Sequence, residues 1–363
     1  MQNKHRYRSI IRPGAIAIVG ASDRAGSLGQ AVISNLSYAG YEGKVYGVNP
    51  KRDQVLGLPC YPSISDLPEK VDSVLVCVPA KFVLGVIDEA GEAGIQSAII
   101  YSSGFAEIGE VGKNLQLDLQ RSARAYNMAV CGPNCLGVVN FQDRYLGFSA
   151  PISFDLEPGN VGAVCQSGSV AIALLNSGRG IRYSYVISSG NEAVVTVEDY
   201  LEFLVHDENT KVILAFVEGF RNTPKLRQIA RVAAELDKPI ITLKVGRSQV
   251  GKRAVSAHTG ALAGSDAIND AFFKQNGILR VNDLDEMLET AMLFLKARRP
   301  SGEKLGVIAI SGGEVGLLAD LADNVGLQFS SLSEQTTRKL KELLPPFSNV
   351  GNPLTNSTYV SWF

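Results

Sequence analysis

Three times along this chain a short apolar run ends in small residues and opens straight into a helical pattern. The runs are Ile16 to Ser22, Val161 to Ser169 and Gly306 to Gly313. Between them, apolar stretches of strand length alternate with amphipathic helices. A strand that hands over to a helix rejoins its sheet in parallel, so the pattern predicts an α/β protein built from βαβ units. Each run reads as the first strand of its own doubly wound unit. Polar stretches with proline and glycine precede the second and third, at Glu157-Pro158-Gly159 and Arg299-Pro300-Ser301-Gly302. They divide the chain into domains at 10–155, 156–302 and 303–363.

The first unit reads as strands near 15–20, 44–48, 73–78, 97–101 and 129–131. The second reads as strands near 161–165, 183–188, 211–217, 239–245 and 278–281. Its helices fall near 168–177, 196–206, 224–237, 265–276 and 283–298. The third begins near 304 and has room for half a unit of this type. That predicts either a longer natural polypeptide or a last segment completed against a partner.

Composition narrows the function. Hydrophobic residues make up 45% and charged residues 20%, with a net charge of −1. Such a balance gives no electrostatic case for nucleic acid or an anionic membrane surface. No apolar run approaches the roughly 18 residues that span a bilayer. The basic stretch Met1 to Arg12 lacks the apolar core of a signal peptide. Five cysteines is an odd number, and a reducing cytoplasm is the expected compartment. Cys131 and Cys135 have no third ligand type nearby in sequence, so they read as packing residues and no metal is expected.

In the first unit, Gly20, Gly26 and Gly29 follow the first strand and lead into a helix. Backbone amides and the helix dipole there favour a phosphate. The spacing is not Gly-x-Gly-x-x-Gly, so the tight pyrophosphate turn of a dinucleotide site is absent. A NAD site also wants Asp or Glu at the end of the second strand. This chain has Val48-Asn49-Pro50-Lys51, whose cation suits an extra phosphate, as on NADP or coenzyme A. The competing reading of Lys51 is a solvated lysine in a turn. Later strand ends carry Val78-Pro79-Ala80, Ser102-Ser103-Gly104 and Gly132-Pro133-Asn134-Cys135-Leu136-Gly137.

In the second unit, Ser167-Gly168-Ser169 opens a helix directly after a strand, with hydroxyls and amides able to hold an anion. Glu218 ends the strand Val212 to Val217. Of the three histidines, His5 lies in the basic N-terminal stretch and His206 beside Asp207 and Glu208. His258 sits among small residues, Gly251 to Gly264, in the loop after the strand Pro239 to Val245. Read alone, it caps or packs in a surface loop as readily as it reacts. Yet that loop exceeds the roughly 12–15 residues beyond which structureless loops tend to be functional. An imidazole on a movable arm suits a group carrier. An anion nest, a carboxylate and a histidine on one sheet edge make a phosphohistidine site plausible. The carboxylate would hold one ring nitrogen as N–H and leave the other nucleophilic.

These residues resemble the NDP-forming acyl-CoA synthetases and, more distantly, the alpha subunit of succinyl-CoA synthetase. The resemblance covers nearly the whole chain. It rests on Val19-Gly20-Ala21-Ser22, Val48-Asn49-Pro50-Lys51, Val78-Pro79-Ala80, Ser103-Gly104-Phe105, Gly132 to Gly137, Gln166-Ser167-Gly168, Glu218-Gly219 and Ser256-Ala257-His258-Thr259-Gly260, in that order. It implies a Rossmann-like CoA-binding domain, a flavodoxin-like ligase domain and the start of a third α/β domain. Coenzyme A would fall near Gly20, Ser22, Gly26, Ser27, Gly29, Asn49, Lys51, Pro79, Ser102 and Ser103. His258 would be the phosphorylated histidine and Glu218 its orienting carboxylate, with Ser167, Gly168 and Ser169 facing the phosphate. The reaction implied is acyl-CoA + phosphate + ADP ⇌ acid + CoA + ATP, through an acyl phosphate and a phosphohistidine. The family takes Mg-ATP or ADP on an ATP-grasp module, on a beta subunit or further along a fused chain. No such module is read here, so an ATP-grasp partner and an oligomer are expected.

Three other readings compete. An NADP-dependent oxidoreductase explains Gly20 to Gly29 and Lys51 but leaves His258 and Ser167 without a task. A CoA-binding regulatory or scaffold half, as in some protein acyltransferases, resembles the chain too, although His258 and Glu218 favour an active synthetase. Succinyl-CoA synthetase proper is disfavoured by the Ala-His-Thr-Gly-Ala-Leu-Ala-Gly loop and by the third domain.

Overall fold

The computed structural model describes residues 7–153, 155–253, 265–296, 300, 302–346 and 348–355. The chain divides into two compact units, Met1–Leu295 and Lys296–Phe363.

The larger unit holds two seven-stranded sheets. After a short helix α1 (Arg8–Ile11), the first sheet is built from β1 (Ala15–Val19), β2 (Lys44–Val48), β3 (Gln54–Val55), β4 (Leu58–Tyr61), β5 (Ser73–Val76), β6 (Ser97–Ile100) and β7 (Ala129–Cys131). Helices α2 (Leu28–Ala39), α3 (Ala80–Glu92) and α4 (Glu110–Ala125) carry its crossovers. The strand order is β3-β4-β2-β1-β5-β6-β7, parallel except for the β3–β4 ribbon. β5, β6 and β7 are buried along their whole length, which is why they read as unbroken apolar runs.

The second sheet contains β8 (Gly137–Asn140), β9 (Tyr145–Phe148), β10 (Val161–Cys165), β11 (Tyr183–Ser188), β12 (Val212–Val217), β13 (Ile240–Lys244) and β14 (Leu279–Val281). Its helices are α5 (Gly168–Leu175), α6 (Val197–His206), α7 (Thr223–Glu235), α8 (Asp266–Gln275) and α9 (Leu284–Phe294). The order is β14-β13-β12-β10-β11-β8-β9. Beyond the strands expected from the sequence, the hairpin β8–β9 adds an antiparallel edge to the parallel sheet. Both of its strands are buried on both faces, so neither shows the alternation that marks a hairpin. The turn between them is set by Asn140, whose Oδ1 accepts from the amides of Gln142 and Asp143.

The same hairpin ties the two sheets together. Asn35 on α2 donates its Nδ2 to the carbonyls of Phe148 (2.6 Å) and Ala150 (2.8 Å). Tyr101, just past β6, donates to the Gly147 carbonyl at 2.9 Å. One apolar cluster runs from Ile16, Ile18 and Leu75 of the first sheet to Val138, Tyr185 and Ile213 of the second. The carboxyl edges of the two sheets are thereby held on a shared core.

The smaller unit contains β15 (Lys304–Leu305), β16 (Ile308–Ala309), α10 (Gly312–Asn324), β17 (Gln328–Phe329), α11 (Glu334–Leu343) and β18 (Leu354–Thr355). β15 pairs in parallel with β17, and β16 with β18. Among its described residues only Ala322 and Leu354 are buried. No helix among the described residues is long and apolar enough to cross a membrane.

Candidate active site

In the first sheet the chain leaves β1 for β2 on one side and later returns to β5 on the other. β1 and β5 are neighbours, so the crevice at this reversal is where ligands of such sheets bind. Gly20 closes β1 with φ +88°, a left-handed conformation that glycine adopts without strain. The α2 helix then comes so close that a Cβ on Gly29 would lie 2.3 Å from the Gly20 carbonyl oxygen. Ser27 is the N-cap, its Oγ accepting from Gln30 N at 3.3 Å. The amides of Leu28 and Gly29 have no carbonyl ahead of them within the helix, which suits an anion. Gly26, at φ +75°, has open space where its Cβ would stand, so the turn leaves room for a ligand.

The other residues expected at this edge divide into builders and candidates for contact. Ser22 Oγ accepts from Arg24 N, and Asn49 Nδ2 donates to the Ala21 carbonyl at 2.8 Å. Asn49 Oδ1 accepts from Lys51 N at 2.9 Å, so Asn49 pins the glycine turn to the end of β2. The Lys51 side chain is exposed. Pro79 precedes the first turn of α3 and is exposed, as is Ser103. Ser102 is buried instead, its hydroxyl donating to the Val78 carbonyl. Arg24 and Arg52 are exposed beside the same turn, with Arg52 3.8 Å from Asp23. Sequence reasoning passed over both arginines.

The second sheet repeats the arrangement. β10 leads to β11 on one side and β12 lies on the other, so the reversal falls between β10 and β12. Ser167 caps α5, its Oγ accepting from Val170 N at 3.4 Å. Gly168 and Ser169 form the opening turn, and a Cβ on Gly168 would meet the Leu136 side chain at 2.8 Å. Glu218 follows β12 directly and is half-buried. Ser167 to Ser169 and Glu218 therefore flank one switch point. His258 lies outside the described residues.

Polar residues not singled out from the sequence link the two edges. Glu107 accepts from the amides of Gly104 (2.6 Å) and Phe105 (3.1 Å) and from Asn191 Nδ2 (2.5 Å). Burial pushes its carboxyl up, but these hydrogen bonds outweigh that and hold it below its usual range. Asn191 receives Arg221 Nη2 on its carbonyl at 2.7 Å. Arg221 Nε in turn stands 3.6 Å from Oε2 of Glu192, which is 1% exposed. Burial dominates there and pushes the Glu192 carboxyl up to about 8, against the pull of Arg221. No group of three His, Cys, Asp or Glu side chains among the described residues is placed to hold a metal ion.

Residues 14–140 match a CoA binding domain, and residues 158–294 match the succinyl-CoA ligase like flavodoxin domain. The alpha subunit of acetate–CoA ligase (ADP-forming) I from Pyrococcus furiosus is 37% identical over 353 residues, 95% of this chain and 75% of that protein. This chain belongs to the ADP-forming acyl-CoA synthetase family. Another member, acetate–CoA ligase (ADP-forming) I of Archaeoglobus fulgidus, is 37% identical over 94% of this chain and 49% of its own length. Among solved members, a dinucleotide-forming acetyl-coenzyme A synthetase 1 of Ca. Korarchaeum cryptofilum, in complex with phosphate and ADP, superposes with a TM-score of 0.90. It is 37% identical, over 97% of this chain and 75% of that one. The chain spans about half the length of several curated synthetases it matches and about three quarters of the alpha subunits. Its Rossmann-like and flavodoxin-like parts are those of this family.

Proposed function

We propose that this chain is the CoA-binding and phosphoryl-carrying part of an acid–CoA ligase of the ADP-forming type. Coenzyme A takes the first sheet edge, with its phosphates on the Gly20–Gly29 turn and Lys51. Phosphate attacks the acyl carbon, the thioester C–S bond breaks, and CoA leaves as the thiol. His258 then takes the phosphoryl group from the acyl phosphate, releasing the carboxylate, and passes it to ADP. The nucleotide and its magnesium sit on an ATP-grasp module outside these 363 residues, on a partner subunit or on a longer chain. In this scheme residues 10–155 bind CoA, 156–302 carry the phosphoryl chemistry, and 303–363 belong to a third domain.

The observation that carries the reading is that β10 and β12 are neighbours, which sets Glu218 and the α5 N-terminus at one switch point. A helix start stabilises phosphoryl charge, while a carboxylate beside it keeps an imidazole in its nucleophilic tautomer. An NADP-dependent oxidoreductase has no use for that arrangement. The test is protein-bound phosphate. His258 should be labelled by MgATP and also by acyl-CoA plus phosphate in the complete enzyme, and the label should be lost in acid and survive alkali. If His258→Ala retains turnover, the carrier role is wrong.

A further inference from the structure

Glu218 is gripped on both sides of its Cα. Gln166 Oε1 accepts from Glu218 N at 2.6 Å and from Gly219 N at 3.1 Å, while Gln166 Nε2 donates to the Gly219 carbonyl at 2.9 Å. From the neighbouring strand, Lys244 Nζ donates to the Glu218 carbonyl at 2.7 Å and to the Val245 carbonyl at 2.6 Å. Gln166 itself is fixed by its amide, which donates to the Phe216 carbonyl at 3.1 Å, and Val245 N donates to Val217 O at 3.0 Å.

Each of the two peptide planes flanking the Glu218 Cα therefore has an external partner. A peptide unit is rigid, so fixing both planes fixes φ and ψ between them and with them the direction of the Cα–Cβ bond. The carboxylate is left with its side-chain torsions alone. Lys244 is only 5% exposed. A buried ammonium costs several kcal/mol to desolvate, so an apolar side chain would serve stability better at this position. Burial lowers its pKa, with Asp266 and Glu218 opposing that shift. What the lysine supplies in return is two carbonyls held at the sheet edge, one of them the carbonyl of Glu218.

We propose that Gln166 and Lys244 are positioning residues that hold the Glu218 backbone so that its carboxylate meets the phosphoryl acceptor in one orientation. This rests on the reading of Glu218 as the orienting carboxylate. A misplacement of about 1 Å at such a group costs on the order of 10²-fold in rate.

The test uses the complete enzyme with its ATP-grasp module and follows protein-bound phosphate formed from radiolabelled inorganic phosphate and acetyl-, butyryl- or succinyl-CoA. Lys244→Met should slow labelling about 10–100-fold while CoA affinity stays unchanged. In a Glu218→Ala background the same substitution should cost nothing further, because a residue acting only through Glu218 has nothing left to position. Gln166→Leu should behave alike, and it provides the same cycle if Lys244→Met fails to fold. Labelling at the parent rate in a folded Lys244→Met or Gln166→Leu enzyme overturns the proposal. So does a loss that persists in the Glu218→Ala background. Full-rate labelling of Glu218→Ala removes the role of Glu218 itself. A parent enzyme that takes no label from any of the three thioesters overturns the functional reading, and the proposal with it.

Discussion

Gly29 and Gly20 approach so closely that a methyl group on the first would stand 2.3 Å from the carbonyl oxygen of the second. The obstacle is backbone, which has no rotamer to move into. Gly29→Ala should therefore push α2 away from the turn, destabilising the chain by about 1–3 kcal/mol as overpacked sites do. It should also weaken CoA binding. Melting curves and calorimetric titration with CoA check both effects. Unaltered CoA affinity in a folded Gly29→Ala protein would remove this turn from the binding site.

Lys51 supplies a cation where a NAD site needs a carboxylate. Lys51→Ala should weaken CoA by about 1–3 kcal/mol, the range for one charge-assisted hydrogen bond. The loss should vanish with dephospho-CoA if the partner is the extra phosphate of the nucleotide. Equal losses for both ligands would place the contact elsewhere. Tight NADPH binding with no CoA binding would favour an oxidoreductase.

Glu218→Gln keeps an acceptor and removes the charge. Rates of histidine phosphorylation should fall about 10²–10⁴-fold, the usual range for acid–base groups. CoA affinity should stay as it was, because the proposed CoA site lies on the other sheet. A variant impaired equally in both would point to a folding defect.

Glu192 makes stability depend on pH. Its carboxyl titrates near 8 in the folded chain, because burial outweighs Arg221, whereas an unfolded glutamate titrates near ~4.3. The folded state keeps a proton that the unfolded state releases, so this contribution is full below that lower value. It declines as pH rises towards about 8 and is then lost. Glu192→Gln removes the titration and still accepts from Ser189 Oγ. The variant should gain on the parent by up to ~1.4 kcal/mol per pH unit across this window. Denaturant unfolding at pH ~5 and ~8.5 reads the difference, and a gap that is the same at both ends would show that Glu192 does not titrate there.

Much of the fold is legible in the sequence because its signals are local. A buried parallel strand needs a continuous apolar run, and β10, β12 and β13 are buried from end to end. The turns that open α2 and α5 need small residues and a hydroxyl cap, and Gly20, Ser27 and Ser167 supply them in order along the chain. The β8–β9 hairpin escaped because full burial on both faces erased its period. Ser102 shows a similar limit: its place after β6 is plain in the sequence, but the donation of its hydroxyl to the Val78 carbonyl is visible only in the fold.

The sequence alone determined the succession of strand, turn and helix, and with it the parallel sheets and the glycine and serine turns at their carboxyl edges. Strand order came only with the tertiary structure. β10 lies beside β12 although β11 intervenes in the chain, and this brings Gln166 onto the amide of Glu218. β13 lies on the far side of β12, which puts the Lys244 ammonium on the Glu218 carbonyl. The burial that lifts the Glu192 carboxyl likewise belongs to the assembled core. Spacing along the chain is a local property, whereas contact between strands out of sequence order depends on how every element packs.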